Sequence, residues 1–221
     1  MNGTTSALTS SIGKKFIMGA TGLFLCLFLV VHLSGNLLLF KNDGGGAFNQ
    51  YSEFMSTNGL IRVMEVILFL GFLFHIIDGL ILTWKNRSAR PTRYVVHAPS
   101  ANSSWTSRNM GITGSIVFVF LVVHLNTFFV QQRILETQAS MHQAVVNSFR
   151  TGWHGWYWAF YVVAMVLLGF HLHHGFQSAF QSLGLSHKKY TPFIEKIGLL
   201  FSIIVPAGFA VIPIYFFFRV S

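Results

Sequence analysis

Five stretches of this chain are each apolar over the length a helix needs to cross a lipid bilayer, and only short segments separate them. At a rise of 1.5 Å per residue, about 20 apolar residues cover a ~30 Å hydrocarbon core. In lipid every backbone N–H and C=O must find a partner inside the segment, so runs of this length fold as helices. The pattern predicts an all-α integral membrane protein, one domain over 1–221, with transmembrane helices at about 16–40, 60–84, 109–133, 154–183 and 192–218. Side chains that are 52% apolar and only 10% charged place the chain outside the soluble range. The first apolar run is too long for a secretion signal and no small-residue cleavage site follows it, so it is expected to be retained.

The net charge of +9 is a matter of orientation rather than of nucleic acid. Lys14, Lys15, Lys85, Arg87, Arg90, Arg93, Arg108, Lys188, Lys189 and Lys196 fall on one side of the expected spans; Lys41, Arg62, Arg133, Arg150 and Arg219 fall on the other. The positive-inside bias then predicts a cytoplasmic amino terminus, an outer carboxyl terminus and a multi-pass place in the cell inner membrane. The basic segment Lys85 to Arg108 reads as a docking surface or as a solvated loop that sets topology. The loop Lys41 to Gly59 is too short for a domain. Cys26, the single cysteine, is expected to be a small packing residue.

Histidines inside these spans need a reason, because an ionisable group at membrane depth is costly and by default marks a functional site. His32, His75 and His124 each stand alone in a separate span, and the fourth span carries His171, His173 and His174. With alternating helix directions, His32 and His124 share the outer level, while His75 and His171 share the inner one. A six-coordinate haem takes two imidazoles on opposite faces of one porphyrin, so paired depths predict two haems, one on His32 and His124 at the outer level and one on His75 and His171 at the inner level. The two levels are expected ~18 Å apart. His171 is preferred within the triplet because Gly175 follows one turn on, as Gly71 and Gly79 flank His75; His173 and His174 stay open. His97, His142, His154 and His187 read as surface residues, with His142 and His154 open to a role near an outer quinone.

This pattern resembles the single-chain, five-helix, dihaem cytochrome b anchor of succinate:quinone oxidoreductases and quinol:fumarate reductases, over nearly the whole chain. Val31-His32-Leu33, Phe74-His75 with Gly79, Val123-His124-Leu125, and His171 with Gly175 carry the resemblance. It implies a respiratory complex II of the tricarboxylic acid cycle, with a flavoprotein and an iron–sulfur subunit as cytoplasmic partners, and two haem b groups, distal to those partners on His32 and His124 and proximal on His75 and His171. It further implies electron exchange with a membrane quinone, menaquinone by expectation, while the dicarboxylate chemistry resides in the flavoprotein. Some members carry a glutamate two residues before the fourth ligand, proposed as a proton relay, where this chain has Gly169.

Trp105 and Arg108 are expected near the proximal level, as propionate contacts. Quinone chemistry moves protons with electrons, and Glu53 is the chosen acid or base, followed by Glu65, for which pairing with Arg62 is the structural alternative. Ser10, Asp78 and Trp105 would mark a site on the opposite side. Two other functions compete. One is the cytochrome b of a formate dehydrogenase or hydrogenase, and the other is a transition-metal transporter using His171, His174 and His124.

Overall fold

The computed structural model describes residues 10–88 and 104–219. Helix is the only regular structure among them, and five helices, spanning Ile12–Phe40, Gly59–Asn86, Met110–Ile134, Tyr157–Ser182 and Thr191–Phe218, are long and apolar enough to cross a membrane. The protein is a multi-pass membrane protein on that ground. Residues 89–103, with Arg90, Arg93 and His97, lie outside the described set, as does most of the basic segment expected to dock partners.

Helix α1 (Ser11–Asn36) starts where Ser10 caps it by accepting the Gly13 N–H at 3.0 Å, and ends in a 3-10 turn, Leu37–Phe40. Next come α2 (Gly46–Thr57), α3 (Gly59–Ser88) and the one-turn α4 (Trp105–Arg108). Helix α5 (Met110–His124) continues as a π-helix over Leu125–Ile134; α6 (Met141–Thr151), α7 (Tyr157–Ser182) and α8 (Thr191–Phe218) complete the chain. The segment Lys41 to Gly59, read from sequence only as a loop, thus contains a three-turn helix, and α6 was not anticipated.

Four spans form a ring. Helix α1 packs on α3 and α7, α5 packs on the same two, and so α1 faces α5 and α3 faces α7 across the centre. Helix α8 lies outside, along α7. Glycines allow the closest approaches. A β-carbon at Gly19 would stand 3.1 Å from the Ala179 carbonyl oxygen of α7, and one at Gly169 would stand 3.0 Å from the Ser202 carbonyl oxygen of α8. Gly169 is therefore where two spans touch backbone to backbone. A glutamate there would have to push α8 away.

Both short helices cap the bundle on the face where α1 ends. Phe48 of α2 and Val145 and Phe149 of α6 join Leu39, Tyr157, Tyr161, Ile212 and Phe216 in one buried cluster. The turn into α2 runs through Gly44 (φ +65°) and Gly45 (φ +89°), and a β-carbon on Gly45 would run into the His142 ring, whereas one on Gly44 meets open space. Left-handed backbone costs an L-residue roughly 1–2 kcal/mol, so Gly45→Ala should lower the unfolding temperature in detergent by about 4 °C or more. Gly44→Ala should cost about half as much, because it bears strain without the clash. Equal shifts would remove His142 from the account.

The fourth span begins at Tyr157 rather than near 154, because Trp153 (φ 48°) and His154 (φ 56°) take the left-handed conformation and break the helix before it. In α8, Pro206 and Pro213 stay inside the helix, and both are buried. Cys26 is buried in the second apolar cluster, among Ala164, Met165, Leu168 and Leu172.

Candidate functional site

The ring of four spans points two pairs of imidazoles at each other. His32 of α1 and His124 of α5 have ring centres 5.9 Å apart with planes at 89°, and His75 of α3 and His171 of α7 are 6.2 Å apart at 73°. Each pair joins helices that face one another across the bundle. Both pairs are part-buried, and the first lies among aromatic rings: Phe28 stacks on His32 at 5.2 Å, and Phe209 lies 5.6 Å away.

Three helices fix the separation of the two levels independently. On α1, Gly22 lies against the His75 ring, its β-carbon position 3.5 Å from Cε1, and His32 comes ten residues later. On α5, Gly114 lies against the His171 ring, 3.3 Å from Cε1, and His124 comes ten residues later. On α7, Tyr161 meets His124 and precedes His171 by ten residues. Ten residues of helix are ~15 Å, somewhat less than the sequence expectation.

Hydrogen bonds assign the protons on two of the rings. The Thr21 hydroxyl donates to the Ile17 carbonyl at 2.8 Å, so towards His75 Nδ1, 3.3 Å away, its oxygen accepts. His75 then carries its proton on Nδ1 and keeps a lone pair on Nε2. A longer chain does the same for His124. Thr127 donates to the Val123 carbonyl at 3.0 Å, Tyr157 to Thr127 at 2.7 Å, and Tyr161 to Tyr157 at 3.0 Å, which leaves the Tyr161 oxygen to accept from His124 Nδ1 at 3.1 Å. Nδ1 of His171 is buried without a hydrogen-bond partner.

These features test whether a haem would fit. Imidazoles bound at about 2 Å on opposite sides of one iron have ring centres roughly 6 Å apart, which is the spacing of both pairs. The rings with assigned protons keep the Nε2 lone pair that iron needs. Beside the proximal pair, glycines stand where larger side chains would fill the space next to the rings. The donor set fits two bis-histidine haems. Among the described residues no group of three or more His, Cys, Asp or Glu is disposed to hold a bare metal ion. His171 and His124, two of the ligands of the transporter reading, lie on different levels. His173 and His174 make no ring contact with an imidazole of another span among the described residues.

The remaining residues fall on the two faces. Trp105 of α4 packs edge-on against Phe170, the neighbour of His171, at 5.4 Å, and Arg108 ends the same turn. That puts α4 beside the proximal level. Asp78, three residues beyond His75, is 8% exposed with its Oδ2 unpartnered. On the opposite face, Glu65 pairs with Arg62 at 2.5 Å and with Arg133 at 3.0 Å, and Arg133 also donates to the Ser56 carbonyl, tying α3, α5 and α2 together. Glu53 is exposed on α2, and no side-chain hydrogen bond or ion pair holds its carboxylate among the described residues. His142 is half-buried beneath the Gly45 turn and His154 is exposed at the break before α7. No known protein family, curated protein or solved structure matches the chain.

Proposed function

We propose that this chain is the dihaem membrane anchor and electron-transfer subunit of a succinate:quinone oxidoreductase or quinol:fumarate reductase, linking an iron–sulfur partner to the membrane quinone. One observation carries the reading: two imidazole pairs face each other across diagonal helices at bis-histidine spacing, stacked ~15 Å apart along the same bundle. When bound, haem b supplies one-electron redox chemistry at its iron. The protein's part is to hold and shape. His32 and His124 would ligate the distal group and His75 and His171 the proximal one, with Thr21 and Tyr161 fixing the ring orientation of His75 and His124 through Nδ1. Gly22 and Gly114 keep side chains out of the space beside the proximal rings. Trp105 and Arg108 are assigned to the proximal propionates, and the face bearing α4 to the flavoprotein and iron–sulfur partners. That face is the cytoplasmic one, with the amino terminus, in the inner membrane. Glu53 is assigned as the proton donor or acceptor for quinone, menaquinone by our reading.

A reduced-minus-oxidised optical spectrum of the purified protein, with a haem-to-protein ratio, tests this. Two b-type haems per chain are expected, together with a flavin-containing partner when the protein is isolated in mild detergent. Protein free of haem would overturn the proposal. Two haems with a molybdenum or nickel partner instead of flavin would move it to the formate dehydrogenase or hydrogenase type.

A further inference from the structure

On the face where α1 ends, away from the imidazole pairs, an open cavity of about 210 Å³ lies between the turn into α2, helix α6 and the end of α8. Three cations from three parts of the chain line it: Lys41, Arg150 and Arg219, with His142 beside them. No acidic residue is among the lining side chains. Asp43, the carboxylate nearest in sequence, is turned to the backbone: it accepts the N–H of Gly45 at 3.0 Å and of Ala47 at 2.9 Å. The Ala47 N–H above all, with the Lys41 charge as a lesser cause, holds its carboxyl below the ordinary range. Arg219 donates to the Tyr215 hydroxyl and lies 5.1 Å over that ring, which braces its guanidinium at the cavity.

The floor has the opposite character, being made of Leu39, Val146 and Phe216, which belong to or pack against the buried cluster under α2 and α6. The depth is also informative. Lys41 follows Phe40, the last residue of the first span, and Arg219 follows Phe218, the last of the fifth. Cations at span ends lie at the level of lipid phosphates, and a basic pocket between helices at that depth matches an anionic head group on either side of the membrane. A soluble anion would use the cations alone. A phospholipid uses both parts, its phosphate oxygens taking charge-assisted hydrogen bonds and its glycerol and first acyl carbons covering apolar surface. We propose that this cavity binds the head group of an anionic phospholipid.

The test is thermal unfolding of the purified full-length protein in neutral detergent, with added phosphatidylglycerol, phosphatidylcholine or inorganic phosphate. Phosphatidylglycerol should raise the unfolding temperature by about 4 °C or more, and the other two by less than about 1 °C. The variant Lys41→Gln/Arg150→Gln/Arg219→Gln should lose the phosphatidylglycerol response while keeping the wild-type haem-to-protein ratio. Should that variant fail to fold, Lys41→Gln alone should weaken the lipid titration about fivefold. An equal shift with phosphatidylcholine, an equal shift with inorganic phosphate, or a full response in the variants would overturn the proposal. So would loss of haem from the folded triple variant, which would give these cations to the redox site instead. The lipid-induced shift in unfolding temperature is read without reference to haem, so that part of the test can fail or succeed separately from the functional reading.

Discussion

If the proposed function holds, purified His124→Ala protein is expected to carry one haem per chain against two in the wild type, and His32→Ala protein should carry the same remaining haem. The reason lies in the pairing. His32 and His124 share one level at 5.9 Å, so with either removed only one imidazole would remain there to hold the group, beside a hole where the other ring stood. Loss of the group would leave a cavity between helices that the surrounding aromatic rings cannot collapse to fill, so reduced yield is expected as well. His75→Ala and His171→Ala should remove the other haem and leave a spectrum complementary to the first two. Gly114→Leu provides a variant that touches no ligand: its side chain would enter the space beside the His171 ring, and the proximal haem should go with it. His173→Ala should keep both. The pairing would be refuted if His32→Ala and His124→Ala left different haems, and the choice within the triplet if His173→Ala lost a haem that His171→Ala retained.

The spans and the levels of the paired imidazoles were legible because both depend on simple periodicities. Apolar length sets the number of spans, and counting 1.5 Å per residue from each end sets depth. What the count could not reach was the surroundings of each ring. Gly22 and Gly114 were there to be read, each ten residues before a histidine in two helices that run the same way, but a spacing within one helix does not say which neighbour a glycine faces. The chain Thr127, Tyr157, Tyr161, His124 joins residues 30 and 37 apart and exists only once α5 and α7 are docked. Helix α2 was hidden by Gly44, Gly45 and Gly46, a run that looks like a loop but forms only its entry. In α6, Met141, Ala144, Val145 and Phe149 do recur at helical spacing, yet Gln, Asn, Ser and Arg between them make the segment read as polar connection. Gly169 shows the converse case. Its identity was noted as a missing carboxylate, and the structure gives the residue a positive reason, the contact with the Ser202 carbonyl.

On the proposed function, Glu53→Gln is expected to leave both haem spectra and dye-linked succinate oxidation unchanged while slowing quinone turnover by about 10². Four carboxylates lie towards the face where α1 ends, and the structure separates them by what they already do. Asp43 caps the entry to α2 through the Gly45 and Ala47 N–H groups. Glu65 is held between Arg62 and Arg133. Glu136 sits at a left-handed position (φ 49°) in the exposed turn after the π-helix. Glu53 alone combines an unengaged carboxylate with a helix docked near a ligand: the Tyr51 ring, two residues before it, is seated against Gly35, three residues after His32. Glu53 itself is on the outward side of α2, next to the exposed Phe54. For an acid or base serving a lipid-borne substrate that exposure is a requirement, since quinone arrives laterally through the membrane and the group must be reachable from there. Glutamine keeps the size and the hydrogen-bonding capacity but cannot exchange a proton, so the loss should fall on quinone turnover and not on haem content or stability. Glu65→Gln should behave in the opposite way, lowering stability through the broken clamp with Arg133 while sparing turnover in the protein that survives. Wild-type quinone turnover in Glu53→Gln would exclude this carboxylate and transfer the proton chemistry to the other face, where Asp78 lies buried with an unpartnered oxygen three residues from His75.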